Sequence, residues 1–218
     1  MSHDVAVAPA GRFITLEGGE GVGKSTQVRA LAQWLGQRGI DALVTREPGG
    51  CAVAEGIRTL LVSGAPGDLS PEGELLLVLA ARLEHVRRVI QPALAAGRWV
   101  LCDRFVDSTR CYQGHAGAVP LSRIDALHQE FLGDFAPHRT LILDLDPRLG
   151  LARSRGVEQG ESRFEERGLA FHQVVRQGFL AIARADTRRV RVVDAHGSPQ
   201  EVLLALAGAL EGLDERIG

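Results

Sequence analysis

Five short apolar segments rich in β-branched residues alternate along the chain with longer segments of helical periodicity. The predicted strands are 12–17, 42–46, 99–103, 140–145 and 190–194, and the predicted helices are 24–38, 52–62, 71–96, 121–133, 163–186 and 199–212. Because parallel neighbours need a crossover of a dozen or more residues, this alternation predicts a parallel five-stranded sheet with helices on both faces. The expected fold is therefore a three-layer α/β/α domain that binds ligands beyond the carboxyl ends of its strands.

The chain has 218 residues, of which 45% are hydrophobic, so it can bury one substantial core. No internal repeat or linker divides it, which predicts a single domain over residues 12–218 preceded by a flexible tail, 1–11. The three cysteines, Cys51, Cys102 and Cys111, are odd in number and lack CxxC spacing. We expect reduced thiols, with neither a disulfide framework nor a zinc site.

Charge and hydropathy exclude several partners. The formal net charge of −2 gives no overall attraction to nucleic acid or to an anionic membrane, so a small anionic ligand is expected instead. No run of 18 apolar residues suits a membrane span, and the N-terminal residues lack the pattern of a secretory signal. The prediction is a cytoplasmic protein.

A glycine-rich segment, GGEGVGKS at 18–25, directly follows the first predicted strand and opens the first predicted helix. It fits G-x-x-x-x-G-K-[ST], a P-loop, whose backbone N–H groups surround phosphates while Lys24 reaches the β- and γ-phosphates and Ser25 ligates Mg²⁺. Lys24 is also the single lysine of the chain. The predicted nucleotide-binding residues are Gly18, Gly19, Glu20, Gly21, Val22, Gly23, Lys24, Ser25 and Thr26. The fold is thus predicted to be a P-loop NTPase.

A P-loop alone leaves GTPases, motors, transporter ATPases and small-molecule kinases open. Guanine-specific GTPases use a lysine in their base-reading motif, and this chain has no lysine outside the P-loop. Arginines instead follow the predicted strands, at Arg46, at Arg104, and at Arg153, Arg155 and Arg163 after the fourth strand. Guanidinium groups match phosphate oxygens bidentately, which favours a kinase of a phosphorylated small molecule.

Five segments together resemble bacterial thymidylate kinase, from about Phe13 to Leu213. They are EGGEGVGKST (17–26), TREPGG (45–50), AARLEH (80–85), CDRF (102–105) and DSTRCYQG (107–114). The resemblance implies phosphorylation of dTMP to dTDP with ATP and Mg²⁺ as cofactors. It also implies a homodimer and a lid, at about 152–165, that carries arginines over ATP.

The resemblance assigns most of the acceptor site. Arg82 would donate to a thymine carbonyl, a position where cytosine presents an amino group and leaves two donors opposed. Thr109 and Gln113 would complete base recognition, and Tyr112 would pack beneath the sugar and exclude a 2′-hydroxyl. The remaining implied contacts are Glu20 with the sugar hydroxyl, Arg58 and Arg104 with the acceptor phosphate, and Glu47 and Pro48 along the pocket wall.

For the chemistry, the resemblance implies charge neutralisation and positioning rather than strong base catalysis. Asp103 would orient a water of Mg²⁺, which Ser25 and Glu165 would also help to hold. Because the P-loop carries no arginine, the lid would supply the transition-state cation. We favour Arg153 over Arg155, while a solvated charge cluster remains the competing interpretation of the lid. The predicted catalytic set is Lys24, Asp103, Arg104, Arg153 and Arg155.

Two positions depart from the family pattern. Val78 stands where an aromatic residue usually stacks on thymine, and Phe105 or Phe13 is the candidate substitute. Ser162 stands where an aspartate commonly precedes the lid arginine. Two alternatives to a dTMP kinase stay open, namely another nucleoside or nucleotide kinase on this scaffold and a catalytically silent nucleotide-binding regulator.

Overall fold

The computed structural model describes residues 11–63, 67–154 and 167–217. The five strands are β1 (Phe13–Glu17), β2 (Ala42–Arg46), β3 (Trp99–Asp103), β4 (Arg139–Asp144) and β5 (Val190–Asp194). They form one sheet in the order β2-β3-β1-β4-β5, and every neighbouring pair is parallel. The predicted parallel sheet is confirmed, with strand boundaries that differ from the prediction by one residue at most.

The central strand β1 is completely buried because it is covered on both faces. Its register pairs Phe13 with Val100 of β3 and Ile14 with Arg139 of β4. Since successive side chains of a strand point to opposite faces, Ile14 and Phe13 enter different core clusters on the two sides of the sheet. This is the three-layer arrangement expected from the sequence.

The helices fill both faces of the sheet. They are α1 (Lys24–Gly36), α2 (Ala52–Val62), α3 (Pro71–His85), α4 (Gln91–Ala95), α5 (Val106–Thr109), α6 (Leu121–Leu132), α7 (Pro147–Ser154), α8 (Leu169–Ala185) and α9 (Pro199–Gly208), with a final 3₁₀ turn at Glu215–Ile217. Two π-helical segments, Val86–Ile90 and Arg110–His115, continue α3 and α5. Among the described residues, no helix is long and apolar enough to cross a membrane.

Three helix predictions need correction. The predicted helix 71–96 is not a single α-helix, because the π turn Val86–Ile90 separates α3 from α4. The predicted helix 163–186 begins as α8 only at Leu169, after Gly168, and its first residues 163–166 lie outside the described residues. The last helix ends at Gly208 rather than at residue 212.

Two helices begin after a capping serine that is followed by proline. Ser70 accepts a hydrogen bond from the backbone N–H of Gly73, and Ser198 forms a reciprocal capping box with Glu201. The short helices α5 and α7 were not predicted, because four to eight residues provide too few turns for a helical period to appear. Both helices reach the candidate site.

Candidate active site

The P-loop, residues 18–25, leaves the carboxyl end of β1 and enters α1. Gly18, Gly21 and Gly23 have φ values of 137°, 66° and 95°, a region that glycine enters at no steric cost. Lys24 folds back over this loop, and its Nζ donates to the carbonyl oxygens of Gly18 at 3.2 Å and Gly19 at 2.7 Å. The buried ammonium therefore already sits at the centre of the loop that the motif predicts to hold phosphates.

The P-loop packs directly against the backbone of α7. A β-carbon placed on Gly21 would lie only 1.9 Å from the carbonyl oxygen of Gly150. Conversely, a β-carbon on Gly150 would lie 2.3 Å from the carbonyl oxygen of Glu20. Only two facing glycines allow this approach, so α7 fixes the shape of the P-loop. Sequence reasoning missed this contact because it missed α7.

The carboxyl ends of β1 and β3 bring together the first two predicted metal ligands. Ser25 Oγ donates to Asp103 Oδ2 at 2.7 Å, and both groups are accessible from outside. One hydroxyl and one carboxylate suit Mg²⁺, which usually takes few protein oxygens and completes its shell with waters and phosphates. The third predicted ligand, Glu165, lies outside the described residues. No cluster of three or more histidine, cysteine or acidic residues suited to a metal occurs in the described part.

A cavity, which we call the acceptor cavity, opens beside the P-loop. Its walls are Glu20, Glu47, Pro48, Leu61, Val78, Arg82, Arg104, Phe105, Ser108, Thr109, Tyr112 and Gln113. The structure thus brings together every predicted acceptor residue except Arg58, which stands beside the wall and donates from Nη1 to the carbonyl oxygen of Pro48 at 2.7 Å. Five segments distant in sequence meet here, as ligand sites at the carboxyl ends of parallel strands require.

Arg82 is held rigidly in the wall of the acceptor cavity, with its side chain only 2% exposed. Its Nε donates to Glu47 Oε2 at 2.7 Å, and its Nη2 donates to Thr109 Oγ1 at 2.8 Å. Its Nη1 is buried and has no hydrogen-bond partner among the described residues. Since buried donors are nearly always paired, this nitrogen is suited to an acceptor atom on a ligand.

Arg104, Glu20 and Tyr112 form a second polar group of the cavity. Glu20 Oε1 accepts from Arg104 Nη2 at 2.8 Å and from the Tyr112 hydroxyl at 2.7 Å. Burial raises the pKa of Glu20, but Arg104, Lys24 and the Tyr112 hydroxyl outweigh it and lower the pKa to about 2. The Arg104 guanidinium carbon also lies 5.0 Å from the Tyr112 ring centroid. Glu20 is therefore a fixed anion next to the P-loop.

The loop that carries Arg104 is tied to β1 by a group that sequence reasoning missed. Glu17 is completely buried and accepts hydrogen bonds from the backbone N–H of Phe105 at 2.8 Å and from Ser108 Oγ at 2.5 Å. Burial, with Asp107 as a second cause, raises the pKa of Glu17 to about 8. The sequence offered one signal for this role of Glu17, namely its position directly before the P-loop glycines. Arg104 itself has a φ of 73°, which these contacts hold in place.

Base recognition rests on two further features. Val78 and Phe105 both line the acceptor cavity, whereas Phe13 is not part of its wall and packs edge-on against Phe105, with ring centroids 5.0 Å apart. Gln113, the predicted partner of Thr109, donates from Nε2 to the buried Glu74 at 2.7 Å, a contact that the sequence did not reveal. Of the two substitute aromatics, the geometry therefore favours Phe105.

The predicted lid is described only in part. Arg153 is exposed on α7, and its Nη1 contacts the carbonyl oxygen of Ala195, just after β5, at 3.4 Å. Arg155, Arg163 and Glu165 lie outside the described residues, so their predicted roles stay predictions.

Comparison with known proteins shows the family. The family model described as thymidylate kinase matches residues 16–205. The chain belongs to the thymidylate kinase family. The thymidylate kinase of Magnetococcus marinus is 52% identical over 202 residues, which cover 93% of this chain and 96% of that protein. That of Caulobacter vibrioides is 52% identical over 197 residues, covering 90% and 94%. A crystal structure of thymidylate kinase from Ehrlichia chaffeensis superposes with a TM-score of 0.77 at 32% identity, covering 93% of this chain and 100% of that one.

Family membership decides the main predictions. The resemblance, the P-loop α/β fold class and the enzyme class are confirmed, and the activity is that of a kinase that phosphorylates dTMP to dTDP with ATP. The two alternatives, another nucleotide kinase and a silent regulator, are therefore set aside. The roles of individual site residues, the metal, the oligomeric state and the compartment are not decided by similarity.

Proposed function

We propose that the acceptor cavity of this thymidylate kinase binds dTMP with the base against Arg82 and the phosphate against Arg104 and Arg58. The observation that carries the proposal is the buried Nη1 of Arg82, which has no acceptor among the described residues. Glu47 and Thr109 hold the other side of the guanidinium, so its direction is fixed. A thymine carbonyl satisfies this donor, whereas the amino group of cytosine leaves it unpaired at a cost of about 1–3 kcal/mol or more.

The P-loop is proposed to hold the β- and γ-phosphates of ATP. Lys24 Nζ donates to carbonyl oxygens of its own loop, and phosphate oxygens would replace these acceptors when ATP binds. Arg104 donates to the carbonyl oxygen of Gly18 at 3.0 Å, so a cation of the acceptor site touches the P-loop itself. The two phosphates thus meet between these cations, where phosphoryl transfer gains from positioning and charge neutralisation.

The fixed charge of Glu20 and the ring of Tyr112 are proposed to recognise the sugar. Glu20 stays ionised because of its low pKa, and it can accept a hydrogen bond from a sugar hydroxyl while it holds the Tyr112 hydroxyl. The buried Tyr112 ring would then lie beneath the sugar and leave no room for a 2′-hydroxyl. This pair would select deoxyribose.

Mg²⁺ is the proposed metal, and Ser25 with Asp103 would hold it, with Glu165 as the third predicted ligand. Bound there, it would supply neutralisation of the negative charge of the phosphates. The Ser25 hydroxyl and the Asp103 carboxylate, 2.7 Å apart, are suited to turn toward one cation. Arg153, with Arg155 next, is proposed to reach the transferred phosphate from the lid.

A cytoplasmic homodimer is the proposed state of the enzyme. Support comes from large exposed apolar side chains on two helices that pack against each other, Leu60 of α2 at 61% exposure and Leu76 of α3 at 57%. Light scattering on the purified protein tests the dimer, and Leu60→Asp should shift it toward monomer if this surface is the interface.

An acceptor panel tests the proposed function. ADP formation from ATP and Mg²⁺ would be followed with dTMP, dUMP, dCMP and AMP as acceptors. We expect dTMP to be preferred strongly over dCMP, and over dUMP only by the worth of one methyl group, about 1–3 kcal/mol. Equal use of dCMP would contradict the role given to Arg82.

A further inference from the structure

His85 is completely buried at the end of α3, three residues after Arg82. It does not belong to the wall of the acceptor cavity, so it cannot touch the acceptor directly. Residues three apart on a helix lie on the same face, and both side chains point toward the loop that follows β2. His85 therefore stands behind the group that is proposed to read the base.

Both ring nitrogens of His85 are used. Nδ1 lies 3.0 Å from Glu47 Oε1, and Nε2 lies 2.7 Å from Thr45 Oγ1. A neutral ring with its proton on Nδ1 satisfies both contacts, because it donates to the carboxylate and accepts from the threonine hydroxyl. The other oxygen of Glu47, Oε2, accepts from Arg82 Nε. One oxygen of the Glu47 carboxylate is thus bonded to His85 and the other to Arg82, and both of these side chains belong to α3.

The loop at 45–50 is folded closely around the imidazole. A β-carbon on Gly50 would lie 2.4 Å from both Cδ2 and Nε2 of His85, so no larger residue fits there. The backbone N–H of Glu47 also donates to the carbonyl oxygen of Asp103 at 2.9 Å. The His85 ring is therefore confined to one position, and the ring in turn fixes the carboxylate of Glu47 relative to the carboxyl end of β3.

We propose that His85 is a positioning residue for base recognition, acting on Arg82 through Glu47. A guanidinium has five N–H donors, and the position of its carboxylate partner decides which of them remain for a ligand. While His85 holds Oε1, only Oε2 faces Arg82, and it takes Nε. Without this contact Glu47 is able to turn Oε1 toward Nη2, which lies on the same edge of the guanidinium as Nε, and to compete there with Thr109. The direction of Nη1, the nitrogen that the base requires, is then no longer fixed. This inference rests on the role proposed for Arg82.

Two substitutions separate the contacts of the ring. In His85→Asn the amide nitrogen stands near the place of Nδ1 and keeps the donor to Glu47, whereas in His85→Gln it stands near Nε2 and keeps only the contact with Thr45. We expect H85Q to raise the KM for dTMP about tenfold or more, the loss of one hydrogen bond to a charged group. It should lower the dTMP to dCMP ratio of kcat/KM and leave the KM for ATP unchanged.

H85N should stay close to the wild type in the KM for dTMP and in the dTMP to dCMP ratio of kcat/KM. A purely structural histidine predicts instead that the two variants lose stability and activity alike, with no change in the dTMP to dCMP ratio, and this result would overturn the proposal. A wild-type KM for dTMP in H85Q would overturn it as well. Should H85Q fail to fold, His85→Leu, which removes both contacts, should raise the KM for dTMP in the same direction, and an unchanged KM would be contrary. Thr45→Val, which like H85N loses only the contact at Nε2, should stay close to the wild type, and a raised KM there would be equally contrary.

The same assay separates this inference from the proposed function. If the wild-type enzyme uses dCMP as well as dTMP, the role of Arg82 fails, and the inference fails with it. If the wild type prefers dTMP and H85Q keeps the full preference, only the role of His85 fails.

Discussion

Replacing Gly150 by alanine tests the packing of the P-loop on α7. The new β-carbon would lie 2.3 Å from the carbonyl oxygen of Glu20, whereas ordinary contacts lie at 3.4–4 Å. The two backbones must then separate by about 1 Å, and neither can give way by a side-chain rotation. The P-loop is the partner that moves, because α7 is regular helix.

The matched control is Gly56→Ala. Gly56 is an exposed glycine inside α2 with nothing within 4 Å of its would-be β-carbon. Both changes gain the same helix propensity, about 0.5–1 kcal/mol, so this gain cancels when the variants are compared. What remains is the overpacking cost at Gly150, about 1–3 kcal/mol. For a chain of this length each kcal/mol shifts Tm by about 2–4 °C.

The assay is thermal unfolding of both variants, followed by KM measurements for ATP and dTMP. G150A should melt about 2–12 °C below G56A, and its KM for ATP should rise because the Glu20 carbonyl belongs to the P-loop. G56A should melt slightly above the wild type with unchanged kinetics. Equal Tm values and equal KM values for ATP in the two variants would refute the reasoning.

Two further predictions concern buried ionisable side chains. Arg82→Lys keeps a cation for Glu47 but loses the guanidinium donors toward Thr109 and the base, so the KM for dTMP should rise about 10- to 100-fold while the KM for ATP stays unchanged. An unchanged KM for dTMP would count against base recognition by Arg82. Glu17 has a pKa raised from 4.5 to about 8, so its contribution to stability is complete below about pH 4.5 and is lost as pH rises through 8. Urea titration gives the difference in the free energy of unfolding between the wild type and Glu17→Gln. This difference should fall from pH 5 to pH 8, by at most about 1.4 kcal/mol per pH unit, and a value that does not change with pH would contradict the raised pKa.

Strong local patterns predicted most of the fold. The five strands are short segments that contain β-branched residues, and Ser70 and Ser198 mark helix starts by capping, so both features are visible in a few residues. The P-loop was equally clear, since its glycines, its lysine and its strand–helix context all occur in one segment. These signals depend on neighbours in sequence, and they need no knowledge of tertiary packing.

The residues that sequence reasoning missed act across the fold. Glu17, Glu74 and His85 are buried polar groups whose partners lie 35 or more residues away, so no local pattern shows that they are satisfied. The facing pair Gly21 and Gly150 is similar, because its meaning lies in a distance between two backbones. The resemblance supplied the residues that are predicted to meet the ligands, and the structure adds those that hold several of them in position.

A crystal structure with dTMP bound tests the central claim most directly, through the distance from Arg82 Nη1 to the nearest thymine carbonyl oxygen. We predict about 2.7–3.2 Å, with the Glu47 and Thr109 contacts of Arg82 unchanged. A base placed elsewhere in the cavity, or a guanidinium that leaves Nη1 more than about 4 Å from any base oxygen, would contradict the account.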